Sequence, residues 1–188
     1  MSVKNTEWNE VYFDLETTGL NPFDARLITI QVRTRGVTTI WPVWLEGGEA
    51  QVIERFLSFT DNVYRRASRF IGYNVLKFDL PFLIARMTAL NLLTPQRWVR
   101  VVQELNWFDL YQFLGDEFGR FREWKIGLTG TGVETTNDQI PALFLQGKYH
   151  VITEYIEDEM RGYELVYDAI RKEKFYTELQ ALRQRLSI

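Results

Sequence analysis

Apolar positions follow two different periods along this chain. Over residues 11–16 apolar and polar side chains alternate, the period-two signature of a half-buried strand. Val11, Phe13 and Leu15 then face one side, and Tyr12, Asp14 and Glu16 face the other. Residues 27–32 (LITIQV) and 37–44 (VTTIWPVW) are β-branched and aromatic runs divided by Arg35-Gly36, a turn signal. The first three strands are therefore expected to form an antiparallel meander. Helical spacing replaces alternation over 49–59, where Val52, Ile53, Phe56 and Leu57 fall on one stripe. A short buried strand follows over 70–73, then a helix over 80–90 opened by Asp79 and Pro81. Residues 105–110 read as a further strand, with a short helix through Leu114. The stretch 115–132 is rich in Gly and aromatics and reads as a loop with short helical pieces. A long helix is expected over 151–170, with a charged helical tail beyond it in 171–188. Strands first, then alternating helices and strands, make a mixed α/β layout around one sheet. No repeat, low-complexity segment or linker divides the chain, so residues 1–188 are expected to form a single domain.

Composition narrows the chemistry. There is no Cys, which excludes disulfides, Cys-ligated zinc, iron–sulfur clusters and a thiol nucleophile. The one histidine, His150, excludes a multi-His metal site. A net charge of -3 argues against a generic basic coat for nucleic acid but leaves room for a local groove. Catalysis, where present, runs on carboxylates, hydroxyls or bound metal. The first residues carry no apolar signal core and no run approaches a membrane span, so a cytoplasmic location without membrane contact is the expectation.

Three acidic constellations stand out. Asp14 and Glu16 lie on one face of the first strand, where they repel each other, and Asp is disfavoured in strands. A divalent cation relieves that repulsion, because hard cations take oxygen ligands. Thr17-Thr18-Gly19 follows as a tight turn; ordinary solvent-facing acids are the plainer reading of the pair alone. Asn74 ends the 70–73 strand, and Asp79 opens the next helix. Helix capping accounts for Asp79 by itself; a second reading puts its carboxylate near Asp14 and Glu16. On the long helix, Ile152, Tyr155, Ile156, Met160, Tyr163, Val166, Tyr167 and Ile170 share a face at about 100° per residue, and Glu159 projects from its middle. Asp158 sits at the edge of that stripe. A carboxylate centred on a buried face needs a partner, either an arginine such as Arg26 or Arg86, or a metal.

These blocks together resemble the DEDD superfamily of 3′–5′ exonucleases. YFDLETTGLNP resembles its first motif, IGYNVLKFDLPFLIAR its second, and IPALFLQGKYHVITEYIEDEM its third, in the tyrosine subgroup. FDLPFL and the order IPxLF, Gly, Tyr are similar to the proofreading domain of family B DNA polymerases, as is the strand end LNWFDL. The likeness runs over roughly residues 11–170. Where the family has a fourth Asp, this chain aligns Glu159, with Asp158 as the alternative register.

The resemblance implies a ribonuclease H-like fold: a mixed central sheet with an antiparallel three-stranded meander, flanked by helices. It implies hydrolysis of terminal phosphodiesters of single-stranded DNA or RNA from a free 3′ end, with DNA favoured. Asp14, Glu16, Asp79 and Glu159 would hold two divalent cations, Mg²⁺ or Mn²⁺, and Tyr155 would position the attacking water. Thr17, Thr18 and Asn74 would contact the terminal nucleotide. A replication or repair partner is implied as well. Further grip on a strand is expected from Arg65, Arg66 and Arg69, or from the basic-aromatic stretch 119–125. The competing readings are a binding module that grips nucleic acid without cutting, and a ribonuclease H-like endonuclease.

Overall fold

The computed structural model describes residues 9–63, 67–114, 125–126 and 132–172. Its centre is a five-stranded sheet of order β3-β2-β1-β4-β5. The strands are β1 (Asn9–Thr17), β2 (Leu27–Thr34), β3 (Val37–Pro42), β4 (Ala67–Gly72) and β5 (Trp107–Asp109). β1, β2 and β3 pair antiparallel as the alternating runs require, with Asp14 opposite Gln31 and Glu16 opposite Thr29. β4 pairs parallel with β1, and β5 parallel with β4. Parallel neighbours need crossover connections, and helices supply them.

The helices are α1 (Val43–Glu46), α2 (Glu49–Val63), α3 (Asp79–Ala89), α4 (Pro95–Trp98), α5 (Leu110–Leu114), α6 (Ile140–Leu145) and α7 (Tyr149–Lys172). α4 runs into a π-helical turn, Val99–Glu104. The strand expected through residue 44 instead stops at Pro42. Proline has no amide to donate onward to a ladder, and the chain turns into α1, ended by Gly47 at φ 91. The long helix begins two residues earlier than its apolar spacing suggests and extends through Lys172; the remaining tail, 173–188, lies outside the described residues.

Two apolar cores lie on opposite faces of the sheet. Val11, Phe13 and Leu15 pack with Val52, Ile53 and Phe56 of α2 and Phe82, Leu83 and Met87 of α3. Tyr12, Ile28 and Ile71 pack with Ile152, Ile156, Met160, Val166 and Ile170 of α7. Each such side chain contributes roughly 1.5–3 kcal/mol when fully buried. Polar ties fix α7 over the second face: Arg33 pairs with Glu164 at 2.7 Å, and Arg69 donates to the Tyr167 hydroxyl at 2.7 Å. Gly72 closes β4 against β1, because a Cβ there would stand 2.9 Å from the Phe13 carbonyl oxygen and 2.9 Å from Val75 Cβ. Among the described residues, no helix is long and apolar enough to cross a membrane.

Candidate metal centre

The alternation of β1 sends Asp14 and Glu16 to the α7 side of the sheet, the face that Tyr12 also occupies. α7 returns Glu159 to the same place. Asp14, Glu16 and Glu159 each offer a carboxylate oxygen, and these oxygens lie within 4.8 Å of one another. The ladder between β1 and β2 slips between Glu16 and Thr17, so the pair sits where regular strand ends. Asp79 is buried beside this group without being part of it. It occupies the first turn of α3 rather than the cap, which falls on Phe78. The backbone amides of Leu15 and Asp79 itself donate to its carboxylate. Asp79 thus reaches across to β1, and its charge acts on both Asp14 and Glu16.

Hydroxyl and amide donors hold the cluster. Gln31 Nε2 donates to Asp14 Oδ2 at 2.6 Å, and the Tyr163 hydroxyl donates to Asp14 Oδ1 at 3.1 Å. Thr29 donates to Gln31 Oε1 at 2.7 Å. The Tyr155 hydroxyl donates to Glu159. Tyr155 and Tyr163 flank Glu159 by one helical turn on each side, which is why all three share a face of α7.

Electrostatics single this group out. Burial and the neighbouring charges of Asp79 and Glu159 raise Asp14 well above the usual carboxylate range. Burial, Asp14 and Glu159 do the same to Glu16. Asp79 is pushed up to about 8, chiefly by burial. Glu159 is raised by burial, against the pull of its Tyr155 hydrogen bond and the Lys125 ammonium. Burial and the nearby carboxylates also raise both tyrosine hydroxyls, which therefore stay protonated donors. A set of hard oxygen ligands that strain against one another fits a divalent cation, whose charge would reverse these shifts.

Asp158, one residue away, has the opposite environment. Burial raises it, but hydrogen bonds and charge from Lys125, with Arg161 at 3.2 Å, bring it below its ordinary value. Of the two arginine partners considered for Glu159, Arg86 is engaged elsewhere: it forms a double hydrogen bond with Glu49 at 2.7 Å.

The residues expected at the terminal nucleotide serve the local turns. Thr17 donates to the Gly19 carbonyl at 2.8 Å, and the Thr18 hydroxyl accepts the Arg26 amide at 2.9 Å. Asn74 adopts φ 59, and its amide donates to Asp109 Oδ1 at 2.8 Å. Arg69 holds β4 to α7 and lies over the Phe108 ring. Arg65, Arg66 and residues 119–124 lie outside the described residues, whereas Lys125 is buried against Asp158. His150 is exposed in the first turn of α7.

Sequence reasoning gave Gln31, Thr29, Tyr163 and Asp109 no part in the site, and it assigned Lys125 to a strand-gripping stretch, whereas Lys125 pairs with Asp158. The signal for the first two was present: they are the polar positions in the otherwise apolar run LITIQV. Asp109 also accepts the Leu76 amide at 3.1 Å and the Tyr111 amide at 2.9 Å, so one buried carboxylate shapes the loop leading to Asp79.

A mixed 3-2-1-4-5 sheet with carboxylates from β1 and a crossing helix gathered on one face defines a ribonuclease H-like, nuclease-fold domain. The chain belongs to the RNase_H superfamily, whose family model RNase_H_2 matches residues 11–140. Among solved structures it is similar to the family B DNA polymerase from the hyperthermophilic archaeon Pyrobaculum calidifontis, with 19% identity and a TM-score of 0.73. That match covers 87% of this chain and 24% of the polymerase, so the chain spans about a quarter of the polymerase's length. No curated protein sequence matches. Both matches agree with the ribonuclease H-like fold that the motif resemblance implies.

Proposed function

We propose that this chain is a metal-dependent 3′–5′ exonuclease that hydrolyses terminal phosphodiesters of single-stranded nucleic acid, DNA in preference to RNA, in replication or repair. The observation that carries the reading is the convergence of Asp14, Glu16 and Glu159 within 4.8 Å, with Asp79 buried beside them. Asp14, Glu16, Asp79 and Glu159 would hold two cations, and the carboxylate oxygens of Asp14, Glu16 and Glu159 are those that lie within 4.8 Å of one another. When bound, Mg²⁺ or Mn²⁺ lowers the pKa of a water and stabilises the leaving 3′ oxygen. Tyr155 keeps its proton and donates it to Glu159, so its oxygen would orient a water by accepting from it, and the residue is not a base. Its hydroxyl is anchored on Glu159, which ties any water it holds to the ligand set. Glu159 adds one methylene relative to the family's Asp, and its carboxylate oxygen lies within 4.8 Å of those of Asp14 and Glu16. The acidic cluster becomes a phosphate site only with cations in place.

The test compares wild type with Asp14→Ala on a 3′-labelled single strand in Mg²⁺ or Mn²⁺. Wild type releases mononucleotides from the 3′ end and leaves circular single strands intact, and the variant, still folded, releases none. Equal cleavage by both proteins sinks the site; cutting of circles replaces the exonuclease reading with an endonuclease.

A further inference from the structure

Both oxygens of Asp14 are gripped by buried donors from two different elements, and no part of the proposed hydrolysis uses those donors. Gln31 and Thr29 are each 0% exposed on β2, set among the buried aliphatic side chains of Leu27, Ile28, Ile30 and Val32. Leaving a polar group in such a place is costly unless it is hydrogen-bonded. Here the bonds form a directed chain. The Thr29 hydroxyl donates to Gln31 Oε1 at 2.7 Å, which fixes the amide so that Nε2 faces Asp14 Oδ2 at 2.6 Å. The antiparallel register makes this possible by setting Gln31 directly opposite Asp14. From the other side, the Tyr163 hydroxyl donates to Asp14 Oδ1 at 3.1 Å. Tyr163 is 2% exposed and lies one turn beyond Glu159.

A carboxylate has about four lone-pair sites, two on each oxygen. One site on each oxygen of Asp14 is taken by a neutral donor, which leaves one on each oxygen to face Glu16 and Glu159. We infer that Gln31, backed by Thr29, and Tyr163 are positioning residues that lock the Asp14 carboxylate plane and thereby set the affinity of the cluster for a divalent cation. This deepens the metal-dependent reading above and rests on it. The donors are neutral, so they orient Asp14 without competing with the cation through charge. They also come from the two elements that bracket β1, so the cluster is tuned by the way α7 sits over β2.

The test is Mn²⁺ binding to the full chain by calorimetry, with melting temperature measured in parallel. Gln31→Met and Tyr163→Phe keep volume and apolar packing but remove one donor each. Each is expected to weaken Mn²⁺ binding by about 10–100-fold, as loss of an outer partner of a metal ligand does. The Mn²⁺ concentration giving half-maximal cleavage rises by the same factor. Thr29→Val, which frees the Gln31 amide to rotate, weakens binding less. Arg86→Leu on the opposite face is the control for a purely structural effect: it lowers the melting temperature and leaves Mn²⁺ affinity alone. Wild-type affinity in Gln31→Met and Tyr163→Phe overturns the inference while the metal site stands. Should one variant fail to fold, the other decides, because each donor acts on a different oxygen. Absence of Mn²⁺ binding in wild type overturns the metal site and this inference together. Mn²⁺ binding without cleavage removes the nuclease reading alone, and the variants' affinities still judge the relay.

Discussion

The two faces of the sheet handle buried charge in opposite ways. On the side covered by α2 and α3, Arg86 and Glu49 meet through two 2.7 Å hydrogen bonds, and Glu49 also accepts the Leu27 amide at 2.9 Å. On the side covered by α7, Asp14, Glu16 and Glu159 face one another with Asp79 beside them, and all four are raised by burial. The same contrast occurs between two adjacent residues of α7. Asp158 is lowered by Lys125 and Arg161, and Glu159 is raised. A matched pair stabilises a fold and says little about activity. A buried cluster of one sign destabilises the fold by itself, and such arrangements mark functional sites.

The sharpest way to break this comparison is to exchange the fates of the two neighbours on α7. Glu159→Ala is expected to reduce metal-dependent cleavage by about a thousandfold or more, equivalent to ~4 kcal/mol of barrier. Asp158→Ala lowers the rate far less and instead lowers the melting temperature, because the buried Lys125 ammonium loses that carboxylate. Single-turnover cleavage and thermal melts on both variants decide it; a larger rate loss from Asp158→Ala reverses the register of the third motif. Arg86→Leu probes the other face. Breaking a buried ion pair from one side typically costs about 3–5 kcal/mol, and the side chains of Arg86 and Glu49 are only 10% and 9% exposed. Denaturant unfolding should show that loss.

Proton linkage separates the faces without mutation. Burial pushes the folded-state pKa of Asp79 up to about 8 from its ordinary 3.8. Between those values the native state holds a proton that the unfolded chain has released. Stability of the metal-free protein therefore falls as pH rises from about 4 to about 8. Asp14, Glu16 and Glu159 are raised as well and act in the same direction. Saturating Mn²⁺ should flatten the slope, since the cation replaces the protons. Melting curves across that range, with chelator and with Mn²⁺, test it; a metal-free protein that grows more stable toward pH 8 contradicts the cluster.

Much of the site was legible because it rests on local periods. Alternation in β1 separates Val11, Phe13 and Leu15 from Asp14 and Glu16, and helical spacing centres Glu159 on a buried face with Asp158 at its edge. What was not legible depends on long-range register. Gln31 matters because of its place opposite Asp14, and nothing local to LITIQV states which partner it meets. Lys125 and Asp158 are 33 residues apart. Asp79 looked like a cap, because Asp before an apolar helix with an early Pro usually is one. Its carboxylate turns to β1 instead, since Phe78 takes the cap position and Leu15 offers an amide.

The smallest expected effect concerns Asp109, where a paired-off carboxylate serves the unpaired cluster. Its Oδ1 accepts the amides of Asn74 and Tyr111, and its Oδ2 accepts that of Leu76. These bonds hold Asn74 at φ 59 and set the path of the chain into Asp79. Asp109→Asn keeps one oxygen but turns an NH₂ group toward the Leu76 amide, donor against donor. Hydrogen bonds to charged groups are worth about 1.5–3 kcal/mol, so a stability loss in that range is expected, below that of Arg86→Leu. The two variants should then part company on function. Arg86→Leu leaves cleavage per folded molecule unchanged, whereas Asp109→Asn lowers it several-fold because the entry to α3 loosens around Asp79. Rates normalised to folded protein measure this directly. Equal rates in both variants would make Asp109 a purely structural residue and confine the chemistry to the α7 face.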